Sequence, residues 1–268
     1  MTQRVIIFGN SHIAALKYAL RETPDAWPDM ALTLVGAHRE HLIDVAIIDG
    51  ILRPVSDDAK RNFNNLNGCE QVDLNQFDAV AISGCEVTFN HASVLYKNAR
   101  WPELPSIVKM QNLPSMRERL VSVSLFDTCL RDALAKSIGV QLAHKIKTAQ
   151  PDLPVFVLGQ PRACQKALDG GNALTVGHQR IVDKGDTSVV SARFDDIATQ
   201  LLADMGITFL AQPENTRTDD IFTSSRFTGD AMRLSSEDNL KQPQDDVLHA
   251  NAAYGAVVLS QLGAALVR

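Results

Sequence analysis

The amino-acid sequence predicts an α/β protein, a three-layer α/β/α sandwich around a mostly parallel five-stranded sheet. Five short apolar runs, at residues 5–8, 32–35, 79–82, 155–158 and 207–210, are flanked by Gly, Pro or Asp. Each is short enough for a buried strand. Long stretches of helical spacing separate several of them. Strands that alternate with helices call for a parallel sheet covered on both faces.

The first run is apolar and β-branched (Val5, Ile6, Ile7, Phe8) and passes through Gly9-Asn10-Ser11-His12 into Ile13, Leu16 and Leu20 at helical spacing. Residues 120–149 carry Leu125, Cys129, Leu130, Leu134, Ile138, Leu142 and Ile146 at steps of three and four. Residues 193–205 do the same with Phe194, Ile197, Leu201 and Leu202. The final stretch, NAAYGAVVLSQLGAALV, reads as a helix with a wide apolar face.

Three insertions interrupt this alternation. Residues 87–119 hold Pro102, Pro105 and Pro114 with Phe89, Tyr96 and Trp101; residues 163–190 are Gly-rich and polar; residues 211–245 are polar, with Pro213 and Pro243. Long irregular connections inside a compact domain usually serve as lids or binding loops. Decorative surface loops are the alternative for 163–190. There is no internal repeat, and a single domain over residues 1–268 is expected.

A hydrophobic content of 45%, a charged content of 21% and a net charge of −5 describe an ordinary globular chain. That balance, with no basic run, argues against nucleic acid or an anionic membrane as partner. No stretch approaches the ~18 apolar residues of a spanning helix. A single Arg4 before the first strand leaves no room for a cleavable leader. Cys69, Cys85, Cys129 and Cys164 lie far apart with no C-x-x-C spacing. Reduced, mostly buried thiols in a cytoplasmic protein are expected, and no ligand spacing suggests a metal.

Ligands of parallel α/β sheets bind outside the carboxyl ends of the strands, where Gly9-Asn10-Ser11-His12 falls. A serine there sits at the positive end of a helix dipole beside free backbone N–H groups. It can be a nucleophile, a helix cap, or part of a phosphate cradle, for which one glycine is weak evidence. Near the other end, Asp246 stands three residues before His249, directly ahead of the last helix. A serine nucleophile needs a base, and the base needs an acceptor to hold its tautomer. One Asp-x-x-His turn supplies both. His38, His41, His91, His144 and His178 have no chemical partner by spacing and read as solvated or structural.

These blocks resemble the SGNH (GDSL-like) hydrolase family. FGNSHIAAL is similar to that family's nucleophile block, with Asn10 where Asp is commoner. DVLHANAAYGAVV is similar to its terminal Asp-x-x-His block, including the Asn and Gly that often follow. The resemblance runs through ordered blocks along nearly the whole chain and is specific at the two ends. It implies a flavodoxin-like sheet, Ser11 as nucleophile, His249 as general base and Asp246 as its orienting carboxylate, with no metal or organic cofactor. It further implies oxyanion donors from the nucleophile's own N–H, a glycine after the second strand and an asparagine after the third. Gly36 in LTLVGAHRE is the first choice for that glycine and Gly50 in IIDGIL the runner-up.

Gly84 in AISGCEV matches the third block's glycine, but Glu86 stands where the asparagine would be. A carboxylate only accepts hydrogen bonds, and losing one oxyanion donor costs roughly 2.7–4 kcal/mol. Asn90 and, in GQPR, Gln160 and Arg162 are the candidates to compensate, with Arg162 also suited to pairing with Glu86 or gripping an anionic substrate group. A histidine after the nucleophile, here His12, recurs in relatives associated with carbohydrate O-acylation. A first-turn structural histidine is the competing reading. Tyr96 and Trp101 would either stack on a sugar over the pocket or belong to the core.

The expected function is a serine-dependent acyl-ester hydrolase, or an O-acyltransferase, acting on an acylated saccharide or small molecule. The alternative is a catalytically impaired domain that binds a ligand or partner with the same pocket. A nucleotide-binding module would need phosphate-cradling glycines that the sequence lacks.

Overall fold

The computed structural model describes residues 2–110, 119–169, 175–235 and 240–267. Along the chain run β1 (Gln3–Gly9), α1 (Ile13–Glu22), β2 (Met30–Gly36), β3 (Val45–Ile48), β4 (Ile51–Pro54), α2 (Asp57–Asn67), β5 (Val72–Asp73) and β6 (Ala79–Ser83). Then come α3 (Asn90–Asn98), α4 (Pro105–Met110), α5 (Val123–Ala135), α6 (Ile138–Ala149) and β7 (Val155–Leu158). Last are α7 (Val176–Lys184), α8 (Thr187–Ala203), β8 (Thr208–Leu210), β9 (Arg217–Thr218), β10 (Phe222–Thr223) and α9 (Ala252–Leu266).

The five expected strands form one sheet in the order β2-β1-β6-β7-β8. Every pairing in it is parallel. Alternation along each strand sorts the core into two layers. Ile6, Phe8, Val80, Ile82, Val155 and Val157 face one side, with Phe126 and Leu130 of α5, Leu142 and Ile146 of α6, and Leu201 of α8. Val5, Ile7, Ala79, Ala81, Phe156 and Leu158 face the other, against Leu16 of α1 and Val258 and Leu262 of α9. Helices on both faces of a parallel sheet make the three layers. Gly9 pairs in register with Gly36 on β2 and with Ser83 on β6, so three strand ends finish level at the carboxyl edge.

Several expectations are corrected. Residues 120–149 form two helices, because the Ser137 hydroxyl accepts the Val140 N–H and starts α6 afresh. The buried stripe of α5 runs through Phe126, Leu130 and Leu134, leaving Leu125 and Cys129 exposed. All four cysteines are free thiols, but only Cys85 and Cys164 are buried. Sequence periodicity missed an antiparallel sheet of β3, β4 and β5. Its hairpin turns at Asp49 and Gly50, both at positive φ (53° and 78°), the geometry that Asp-Gly favours between paired strands. Gly50 is thus a hairpin glycine and not part of the turn that carries Ser11.

Within the first insertion, α3 and α4 join the core. Tyr96 is fully buried and donates to Asp186 Oδ2 at 2.6 Å. Trp101 packs on Phe126 with ring centroids 4.6 Å apart. Both belong to the core. The second and third insertions bury Cys164, His178, Phe222 and Phe227, so their described parts are packed structure and not decoration. Pro114 and the remainder of residues 111–118, residues 170–174 and residues 236–239 lie outside the described residues.

The two helices on the site's face of the sheet are held unusually close. A Cβ on Gly255 of α9 would lie 2.1 Å from the Ala15 carbonyl oxygen of α1 and 2.5 Å from its carbonyl carbon. Only a glycine lets the two backbones meet there. Gly255→Val is therefore expected to cost roughly 3 kcal/mol or more, at the upper end of overpacking penalties because the obstacle is backbone. Urea unfolding would show the loss as a lowered midpoint; an unchanged midpoint would deny the contact.

Candidate active site

The turn after β1 is built by its own backbone. Ile13 N–H donates to Asn10 O at 3.0 Å and Ala14 N–H to Ser11 O at 3.3 Å. The Asn10 side chain accepts the His12 N–H at 3.2 Å, an Asx turn that shapes the start of α1. His12 occupies the N-cap position and no side chain caps the helix. Ser11 is therefore not a cap, and its hydroxyl donates to His249 Nε2 at 2.8 Å. The Ser11 N–H bonds no acceptor among the described residues.

His249 comes from the far end of the chain, just before α9. Asp246 accepts its backbone N–H through Oδ2 and faces Nδ1 through Oδ1, both at 2.9 Å. A carboxylate only accepts, so Nδ1 carries the proton and Nε2 is left as acceptor toward Ser11. The two side chains are 18% and 15% exposed. Burial pushes the Asp246 carboxyl upward, but the ring and backbone hydrogen bonds from His249 outweigh it and hold it below the usual carboxylate range. Asn251 fixes the loop. Its Oδ1 caps α9 at Tyr254 N–H, and its Nδ2 donates to Arg226 O and Gly229 O, each at 2.9 Å.

His12 is 9% exposed, and its ring stacks on that of His249 with centroids 4.6 Å apart and planes 19° from parallel. Burial above all, then the neighbouring His249, push its pKa down to about 3, with Asp246 pulling weakly the other way. His12 is neutral at ordinary pH. Gly84 meets the same turn, since a Cβ there would lie 2.9 Å from both Asn10 Oδ1 and His12 Cβ.

Gly84, Cys85 and Glu86 run through three successive positive φ values, 73°, 51° and 68°. Backbone strain of this kind costs of order 1–3 kcal/mol for each non-glycine, and surrounding bonds must hold it. Gly139 N–H donates to Cys85 O at 2.7 Å, His91 Nε2 lies 3.0 Å from Glu86 O, and Glu86 N–H donates to Gln160 Oε1 at 3.3 Å. Gln160 therefore braces the Glu86 loop.

The remaining expected residues are elsewhere. Arg162 is 2% exposed and turned inward. Its guanidinium bonds both Asp195 oxygens at 3.0 and 3.1 Å, Ser191 Oγ at 2.6 Å and the Asp220 carbonyl, and it lies over the Phe89 ring. No bond joins it to Glu86 or Ser11 among the described residues. Asn90 opens α3, its N–H on Thr88 Oγ1 at 3.4 Å, and no contact joins it to Ser11 or His249 among the described residues. Gly36 has the expected place, level with Gly9, but its N–H is committed to Asn67 Oδ1 at 2.8 Å while Asn67 Nδ2 donates back to Gly36 O at 2.9 Å. Asn67 was not foreseen, and nothing in the spacing marks it. Asn251 carries a readable signal, a cap residue directly before an apolar helix.

A cavity of about 440 Å³, lined by Cys164, Lys166, Ser225, Asp230 and Lys241, touches this cluster through Asp246, away from Ser11. Among the described residues there is no group of three metal-ligating side chains, and no helix is long and apolar enough to cross a membrane.

No family model matches the chain. No curated protein matches it either. Among solved structures, it is similar to the periplasmic domain of a lipopolysaccharide acetyltransferase from Salmonella ser. Paratyphi A, at 10% identity over 100% of this chain and 85% of that one, with a TM-score of 0.45. A DUF4886 family protein from Bacteroides uniformis is 11% identical over 98% and 95%, TM-score 0.39. A possible lipase from Chitinophaga pinensis is 9% identical over 98% and 97%, TM-score 0.36. Likeness this distant carries no activity across, and the functional argument rests on the side chains.

The depressed Asp246 carboxyl has a defined sign in stability. A group whose folded pKa lies below its unfolded value stabilises the fold above the unfolded value, about 3.9 for Asp, and loses that contribution as pH falls through the lower folded value. Wild type should therefore be more stable than Asp246→Asn at pH 7, and the gap should close below about pH 3.9. Urea unfolding at both pH values measures this, and a gap that widens in acid would contradict it.

Proposed function

We propose that this chain is a serine-dependent acyl-ester hydrolase or O-acyltransferase that works through an acyl-serine. One observation carries the reading: Ser11 Oγ, His249 and Asp246 stand in an unbroken hydrogen-bonded line of 2.8 and 2.9 Å. Ser11 Oγ attacks the ester carbonyl as its proton passes to His249 Nε2. Asp246 holds the imidazole in the right tautomer and stabilises the imidazolium. Collapse of the tetrahedral intermediate expels the alcohol, which takes the proton back from His249. Water or a second hydroxyl then attacks the acyl-serine, giving hydrolysis or transfer. The Ser11 N–H at the start of α1 is the donor at hand for the oxyanion. An acylated saccharide is the preferred substrate class, on the resemblance of the Ser11-His12 pair to relatives that O-acylate carbohydrates.

A second reading, a domain that binds its ligand with little or no turnover, is favoured by two specific features. Glu86 offers an acceptor where a donor is expected, and the Gly36 N–H is bonded to Asn67. Two missing donors at roughly 2.7–4 kcal/mol each would slow acyl transfer by several orders of magnitude.

A fluorophosphonate probe separates the two. Its phosphorus is attacked by an activated serine with loss of fluoride, and mass spectrometry locates the adduct. Labelling at Ser11, abolished in Ser11→Ala and reduced about a thousandfold or more in His249→Ala, is the expected result. Folded wild type that stays unlabelled would sink the hydrolase reading. Release of acid from acetylated sugars by labelled-competent protein then tests the substrate class; turnover of simple esters alone would remove the saccharide.

A further inference from the structure

Resting on that reading, we infer that His12 is a positioning residue for the base: its stacked ring fixes the plane of His249 between Ser11 and Asp246. Three features on different elements support this. The ring lies face to face with His249 at a centroid distance of 4.6 Å and a 19° tilt, within the range of offset aromatic stacks. Its other surroundings are rigid, because the His12 N–H is tied to Asn10 Oδ1 and the missing Cβ of Gly84 is what makes room for His12 Cβ and Cδ2. Its Nδ1 is buried with no hydrogen-bond partner among the described residues. No protein hydrogen bond through Nδ1 therefore accounts for the place of the ring. Its ring contact among the described residues is the stack on His249.

The ring of His249 turns about its Cβ–Cγ bond, and that turn swings Nδ1 and Nε2 off Asp246 and Ser11 together. A flat partner against its face stops the rotation. The partner must also be uncharged, because a second imidazolium 4.6 Å away would repel the one formed when Ser11 gives up its proton. His12 meets this condition by burial without a carboxylate of its own, whereas His249 has Asp246. The proton therefore has one destination.

The test compares His12→Phe, His12→Leu and His12→Ala with wild type in the rate of fluorophosphonate labelling at Ser11. It also follows the far-downfield proton resonance of an imidazole N–H bonded to a carboxylate, here His249 Nδ1–H to Asp246. Leu refills the buried volume without a flat face, and Phe restores the flat face without a nitrogen. Phe should come within about fivefold of wild type and keep the resonance. Leu, with an unfolding temperature near wild type, should fall at least tenfold and broaden the resonance, and Ala should fall further. Leu labelled at the wild-type rate, or Phe as slow as Leu, overturns the inference. If wild type is not labelled at all, the hydrolase reading fails. The resonance still decides His12: kept in Phe and lost in Leu it supports the positioning role, and equal in both it refutes it.

Discussion

The contact of Gly255 in α9 with the Ala15 backbone in α1 sets the distance at which Ser11 and His249 can share a hydrogen bond. Ser11 and His249 are 238 residues apart in sequence, and no local element joins them. Each is attached to the N-terminal end of a helix, and the two helices pack against the same face of the sheet. Where the helices touch backbone to backbone, their first turns come close enough for a 2.8 Å hydrogen bond. Two helix N-termini also bring two partial positive charges to the place where Asp246 sits and where an oxyanion would form.

The loop that carries His249 is held from a second direction, by a chain of contacts that begins in a salt bridge. Asp195 on α8 takes both Arg162 and Arg217, and Arg162 in turn holds the Asp220 carbonyl. Burial lowers the Arg162 pKa to about 10, with Asp195 opposing that loss. It remains charged at neutral pH, and its hydrogen bonds repay much of the desolvation. Pinned there, the segment runs through Phe222 to Phe227, whose carbonyl accepts the Asn251 N–H. The third insertion is thus a brace between α8 and the start of α9. An arginine expected to meet substrate instead braces, from a distance, the loop that carries His249.

The parts of the fold that could be read from sequence were those decided locally. Val5, Ile6, Ile7 and Phe8 form a strand because a β-branched apolar run between polar turns has little alternative, and the other four strands follow the same rule. The Asp49-Gly50 hairpin is equally local, but its short strands alternate apolar and polar residues too weakly for periodicity to show them. At the split between α5 and α6 the apolar spacing continues unbroken from Leu134 to Ile138, so periodicity could not see a boundary made by the Ser137 hydroxyl. The same division runs through the site. That Ser11, Asp246 and His249 would meet was legible, because each stands in a short block beside an element whose place in the sheet is set locally. The fates of Gly36 and Arg162 were not, since the first is decided by an amide 31 residues away and the second by a carboxylate 33 residues away.

That division explains why the relay looks complete while the oxyanion side looks sparse. A relay needs three side chains whose identities can be inspected one by one. An oxyanion hole needs free N–H groups, and freedom is a property of the packed whole. With Asn67 on Gly36 and a carboxylate residue at position 86, the Ser11 N–H and the α1 dipole are what remain at hand. A helix terminus is worth about 0.3–1 kcal/mol to a nearby charge, rising to ~2 in partly buried geometry. One lost donor costs roughly 2.7–4 kcal/mol. The dipole therefore offsets less than a single missing donor. Fast acyl transfer by this site would require a second N–H donor, and the Gly36 N–H, level with Gly9 in the sheet, is bonded to the Asn67 amide instead.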